Sequence, residues 1–142
     1  MKGKKFLIKI GVVVLLVVMV GGTIVSIKEK KESENAIHIV QSGVSKINEN
    51  SNYKEAFEKY FTNLSWFTYK NSQGIRVVGF TAQRYMHDRN TMGDYEISYI
   101  VDENTNTFKF YKGTCNGIEL NQLDMLKITI CAFDQADSVD NY

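Results

Sequence analysis

Residues Ile10 to Ile27, IGVVVLLVVMVGGTIVSI, form an uncharged apolar run of eighteen residues, and no other feature constrains the organisation of this chain as strongly. As a helix inside a soluble fold, so continuous a run would have to be surrounded on every side, and a chain of 142 residues cannot supply that wrapping. A bilayer hydrocarbon core of about 30 Å is crossed by about 20 apolar residues. Adding Phe6 to Ile8, with Lys9 extending its ammonium toward the headgroups, brings the run to that length. It therefore predicts a retained transmembrane helix over residues 10–27. The competing reading is a secretory signal, which has a similar basic start but an apolar stretch of about 7–15 residues ending at a small-x-small site. Gly21, Gly22 and Ser26 are small, yet no Ala-x-Ala is present and apolar residues continue to Ile27. No Cys stands at the end of the run to carry a lipid. A secreted domain left by signal cleavage is the alternative.

Orientation follows from lysines near the membrane ends, since Lys and Arg set topology. Lys2, Lys4, Lys5 and Lys9 precede the end of the run, against Lys28, Lys30 and Lys31 after it. The expectation is a cytoplasmic basic tail over 1–9 and a C-terminal domain outside the cell membrane. From Ser33 onward there are ten Lys and Arg against fourteen Asp and Glu, a net charge of −4. Nucleic-acid binding rests on phosphate neutralisation by basic side chains, so no nucleic-acid partner is expected. The lack of Pro, with three Arg among seventeen basic residues, is a composition of bacterial type.

Residues 28–35 are charged, without apolar periodicity, and read as a linker leaving the membrane. The segment 36–134 then has the length of one domain, and its aromatic content argues against disorder. Ile37, Val40, Val44 and Ile47 recur at helical spacing and predict a first helix over 35–47, weakened by Gly43 or continued upstream as a stalk. Asn52 and Glu55 form a capping-box pair ahead of Tyr53, Ala56, Phe57, Tyr60, Phe61 and Leu64, an aromatic stripe expected to be core. Trp66 to Lys70 and Ile75 to Ala82 read as a hairpin around the Asn71–Gly74 turn. Arg84 to Gly93 is polar and predicts a loop. Tyr95, Ile97, Tyr99 and Val101 alternate with polar residues, as do Phe108 and Phe110, giving two more strands. Asn121 and Asp124 open a last helix whose buried stripe is predicted as Leu123, Leu126, Ile130 and Phe133. The acidic tail, 135–142, reads as frayed. The sum is an α+β fold: a transmembrane helix, one or two helices, a four-stranded antiparallel meander and a C-terminal helix.

The aromatic helix from Tyr53, the lone Trp66, the Gly74 turn, the run Val77-Val78-Gly79-Phe80-Thr81 and the later Asp102, Phe108 and Asn116-Gly117 together resemble small membrane-anchored bacterial ectodomains that are themselves uncharacterised. The resemblance implies address and fold, and carries no activity or functional residue.

The sequence offers little chemistry. His38 lies in the first helical stretch, and His87 sits beside Asp88 with Asp94 nearby, in what reads as a solvated loop rather than a cation site. Neither histidine stands at a metal-binding spacing. Cys115, in a Gly-Thr-Cys-Asn-Gly loop, and His87 are the single Cys/His pairing worth naming for nucleophilic catalysis, and the loop reading is preferred. Cys115 and Cys131 permit a disulfide outside the cell. Cys131, about 15 Å along a helix from Asn121, is reached by Cys115 only if the 113–120 loop folds back, so the pair stays open. No catalytic, cofactor or metal residue is assigned. The expected function is a non-enzymatic, membrane-anchored extracytoplasmic binding or interaction module, with the bilayer and another envelope protein as partners. A structural or assembly component of an envelope complex is the second expectation.

Overall fold

A computed structural model describes residues 23–138, with side chains described over 28–135. The apolar run before Thr23, and with it most of the expected transmembrane segment, lies outside the described residues. Among the described residues no helix is long and apolar enough to cross a membrane. The chain divides into two units, residues 1–34 and 35–142.

Helix α1, Thr23–Gln41, includes the charged stretch expected to be a linker. Lys and Glu are strong helix formers, and pairs such as Lys30–Glu34, at 4.0 Å, stand one turn apart. The exposure of both partners makes the pair worth little, so propensity explains this helix better than ion pairing. Residues 28–34 belong to the first unit; in the second, Ala36, Ile39 and Val40 are buried. The helix stops at Gln41 and does not reach Ile47. The Gly43 amide closes it on the Val40 carbonyl at 3.1 Å, and a Cβ at Gly43 would lie 2.5 Å from the Phe108 ring. Beyond it the chain forms a small two-stranded sheet of β1, Val44–Ser45, and β2, Asn48–Asn52. Val44 and Ile47, expected on a helix face, are exposed in this hairpin.

Helix α2, Tyr53–Tyr60, starts as its capping pair predicts, with the Asn52 side chain accepting from the Glu55 amide at 2.9 Å. It ends sooner than its aromatic stripe. Phe61 is already extended, and Asn63 takes a φ of 51°, so Leu64 belongs to the next strand.

The main sheet has five antiparallel strands in sequential order: β3, Thr62–Lys70; β4, Arg76–Met86; β5, Thr91–Asp102; β6, Thr107–Cys115; and β7, Ile118–Glu119. The segment expected as a loop, Arg84–Gly93, instead completes β4, turns over residues 87–90 and begins β5. Ladder pairing continues through Gln83↔Asp94 and Met86↔Thr91. The fifth strand is the two-residue β7, which pairs with the end of β6. At the centre, Gly79 lets the Phe67 ring lie on the sheet, where a Cβ would come within 2.5 Å of it.

Helix α3, Gln122–Ser138, opens with a reciprocal cap. The Asp124 amide donates to Asn121 Oδ1 at 2.8 Å, and the Asn121 amide donates to Asp124 Oδ2 at 3.0 Å. The helix continues to Ser138 through part of the expected frayed tail. Its buried face is Met125, Ala132 and Phe133, with Ile128 partly buried. The expected stripe is correct only at Phe133, since Leu123, Leu126 and Ile130 are exposed. The core lies between one face of the sheet and the helices, with Phe57, Phe80, Ile97 and Phe133 fully buried. Tyr53 ties the layers together, its ring 5.0 Å from that of Phe133 and 4.9 Å from that of Phe108. The Asn48 side chain donates to the Phe133 carbonyl at 3.3 Å, fastening β2 to α3.

Candidate functional site

Two concave surfaces of the second unit gather the groups with chemical interest. The larger is an open groove of about 730 Å³ where α2, the β4–β5 turn, the β6–β7 turn and the start of α3 converge. Arg84 organises it. Its Nη1 donates to the Tyr60 carbonyl at 2.6 Å, and its guanidinium carbon lies 3.6 Å from the centre of the Tyr60 ring. Tyr60 is the last residue of α2, so the cation occupies the helix end where carbonyls lack partners and where positive charge is favoured. The same contact is a cation–π stack. A residue expected in a loop is thus held in place on a strand.

The groove tyrosines are tuned mainly by burial. Burial raises the Tyr60 phenol, and the adjacent Arg84 charge pulls it partly back. Tyr95 is raised well above its ordinary range, first by burial and then by its hydrogen bond with the Cys115 side chain. At neutral pH both are neutral hydrogen-bonding groups.

The structure brings His87 and Cys115 to this same groove, but gives each a different tyrosine. The His87 ring packs edge-on against Tyr85 at 4.9 Å, whereas Cys115 helps to raise the pKa of the Tyr95 phenol. His38 lies far along the chain on α1, bordering a separate hollow beside Gly43 and Phe108. Asp94 is engaged by the Gln83 amide at 2.8 Å, and its backbone is fastened to Asn116 on both sides. The groupings of His, Cys, Asp and Glu among the described residues contain no set of three placed to hold a metal ion. Cys115 and Cys131 are free thiols, the first partly buried and the second exposed.

The second concavity is a cleft of about 300 Å³ between β1–β2, β6 and α3, walled by Ile47, Tyr53, Tyr99, Phe108, Phe110 and Met125. Its rings form an edge-to-face cluster, with Tyr53 and Tyr99 at 6.1 Å and Tyr99 and Phe108 at 5.5 Å. The Tyr99 side chain is 3% exposed, and its hydroxyl has no hydrogen-bond partner. Burial raises that phenol well above its ordinary range. Leu126 borders the same cleft and leads out onto the exposed stripe of α3.

Comparison with protein-family models, curated proteins and solved structures gives no match to this chain. The geometry alone therefore carries the functional argument. Sequence reading missed Arg84, because a polar run offers no period to place it, and missed the cleft, because Ile47 and Phe108 meet only through the tertiary fold. The one signal available was the alternation of Phe108 and Phe110 with Lys109, which fixes the face both rings share.

Proposed function

We propose that this protein is a membrane-anchored interaction module, its domain displayed outside the membrane and docked, through the outward face of α3, against an apolar surface of another envelope protein. The observation that supports it is the stripe Leu123, Leu126 and Ile130, exposed by 57%, 52% and 41%. These residues stand at i, i+3 and i+7, so they share one helix face. Apolar groups left in water at regular spacing mark an interaction surface more often than single scattered ones do, and covering each fully would contribute about 1.5–3 kcal/mol. The eighteen-residue apolar run supports the address, and the acidic domain directs the partnership away from nucleic acids.

The test is affinity capture of the full chain from its own membranes after mild cross-linking, with the parent and with a Leu123→Asp/Ile130→Asp variant. The reading expects a specific partner with the parent and its loss with the variant, whose melting temperature stays within a degree or two. Capture that survives in the variant, and is lost only when residues 10–27 are exchanged for an unrelated span, replaces this reading with that of an assembly component held through its membrane segment. Protease added to intact cells is expected to degrade the domain; protection until the membrane is opened overturns the orientation.

A further inference from the structure

The two edges of the main sheet are unlike. One is β7, two residues long; the other is β3, nine residues long, which pairs with β4 alone. Among the described residues no backbone bond joins 62–70 to any segment other than β4. Ladder alternation tells which of its groups that pairing leaves over. The Asn71 amide donates to the Ile75 carbonyl at 2.9 Å, so these two form a hydrogen-bonded pair. Tyr69↔Val77, Phe67↔Gly79 and Ser65↔Thr81 follow it at every second position of the register. The N–H and C=O groups of Trp66, Thr68 and Lys70 then point away from β4, along the open edge. Sheets ordinarily guard such an edge with Pro, with charges, with a bulge or with a covering segment. The chain has no Pro, and Lys70 is the single charged residue in 62–70. The irregularity of the strand lies before Ser65, and Ser65, Tyr69 and Lys70 are exposed.

We propose that a second copy of this chain pairs with β3 edge to edge, antiparallel about a two-fold axis at Thr68, joining two five-stranded sheets into one. An edge of alternating donors and acceptors is matched by another extended backbone. A lone peptide bound in this way also needs pockets for its alternate side chains, and the three hollows described above take no residue from 62–70. A second β3 needs none. The register at Thr68 is self-complementary: Thr68 meets its mate and Trp66 meets the partner's Lys70, edge-facing groups against edge-facing groups, for about six new hydrogen bonds. On the opposite face Phe67 falls beside the partner's Tyr69. Within one copy these two rings are already near-parallel, 6.2 Å apart with 15° between their planes. Aromatic and Thr–Thr pairs across strands are favourable, whereas like charges directly opposite are not. Here each Lys70 meets a Trp66 ring, a cation–π partner, and not another lysine. The edge is separate from the α3 stripe, so the failure of either surface leaves the other standing.

The experiment cross-links the full chain in its own membranes with a short, membrane-permeant bismaleimide, in a Cys115→Ser/Cys131→Ser background. The pairing sets Tyr69 diagonal to its mate, about 7–8 Å away. Lys109, on β6, stands seven strand spacings from its own mate, about 33 Å. Tyr69→Cys is therefore expected to form a covalent dimer at least about tenfold faster than Lys109→Cys. Thr68→Pro removes the central edge amide while sparing the ladder to β4, and is expected to abolish that advantage. Thr68→Lys sets two ammonium groups opposite each other at the axis and is expected to do the same, so a proline variant that fails to fold leaves the test intact. Trp66 fluorescence in dilute detergent checks the fold of each variant. Equal rates at positions 69 and 109, the signature of random collision or of contact through the membrane segment alone, overturn the proposal. So does a Tyr69→Cys dimer that forms undiminished in the presence of Thr68→Lys.

Discussion

Helices α2 and α3 begin alike and end differently. Each opens on an asparagine whose side chain accepts an amide hydrogen bond three residues on, and each carries apolar residues at helical spacing. In α2 the stripe is the core: Phe57 is fully buried, and its ring lies 4.9 Å from that of Phe80 on the sheet. In α3 the equally regular stripe of Leu123, Leu126 and Ile130 faces outward. Periodicity shows that a face is apolar; which face is covered depends on what the fold brings against it. A stripe in excess of what the core can take is available for another molecule.

The comparison is sharpened first where the difference is largest. Phe57→Ala is expected to cost about 3–5 kcal/mol, as truncation of a buried aromatic does, whereas Leu126→Ala is expected to stay within about 0.5 kcal/mol. Urea unfolding followed by fluorescence of Trp66 measures both. Similar losses for the two would erase the distinction between the helices.

The next effect is a pH dependence seated under α2 and α3. Burial raises the Tyr99 phenol above its ordinary value of 10.0, and raises Tyr53 beside it. Above pH 10 the unfolded chain loses these protons while the folded chain keeps them, so the folded state binds more protons and stability falls as pH rises. Below pH 10 the contribution is fully present. For Tyr99 alone the expected slope beyond that point is about 1.4 kcal/mol per pH unit, seen as a falling urea midpoint between pH 10 and 11. Tyr99→Phe is expected to flatten it. An unchanged slope in that variant would move the effect to other groups.

Smaller still, Asn52→Ala and Asn121→Ala are each expected to cost about 1 kcal/mol, because each removes a side-chain oxygen that accepts the amide hydrogen bond three residues on. Thermal melts that separate the two by a wide margin would show that the helices differ at their starts as well as on their faces. At the bottom of the scale, Cys131→Ser is expected to leave stability within about 0.5 kcal/mol, since the side chain is exposed and unbonded to Cys115.

Much of this fold is legible in the residues themselves. Asn52 with Glu55 and Asn121 with Asp124 announce the helix starts, because capping is local chemistry. The Asn71–Gly74 turn and the alternation Tyr95, Ile97, Tyr99, Val101 announce a hairpin and a strand for the same reason. The failures are tertiary. Apolar residues lie all around α3, at Leu123, Met125, Leu126, Ile128 and Ile130, so two overlapping stripes compete, and only the tertiary fold decides that Met125 is buried. The polar run Arg84–Gly93 lacks apolar alternation, yet becomes strand because the ladder continues and Arg84 is held by the end of α2. The larger groove draws on turns distant in sequence, which no local pattern brings together, and the orphan hydroxyl of Tyr99 is a fact of three-dimensional packing that alternation cannot reveal.

The sequential order of the sheet bears on how fast the domain forms. Each strand from β3 to β6 pairs with the strand that follows it in the chain, and the turns at 87–90, 103–106 and 116–117 are short. Loops this short are closed in well under a microsecond, and folds with low contact order reach the native state quickly. The sheet can therefore zip up strand by strand in the order the chain is made. The slow event is left to the end of the sequence, where Phe133 must find Tyr53 and Asn48, some eighty residues earlier. Until that long-range contact closes, Tyr53 at the start of α2 lacks its Phe133 neighbour, and the C-terminal helix acts as the latch of the fold.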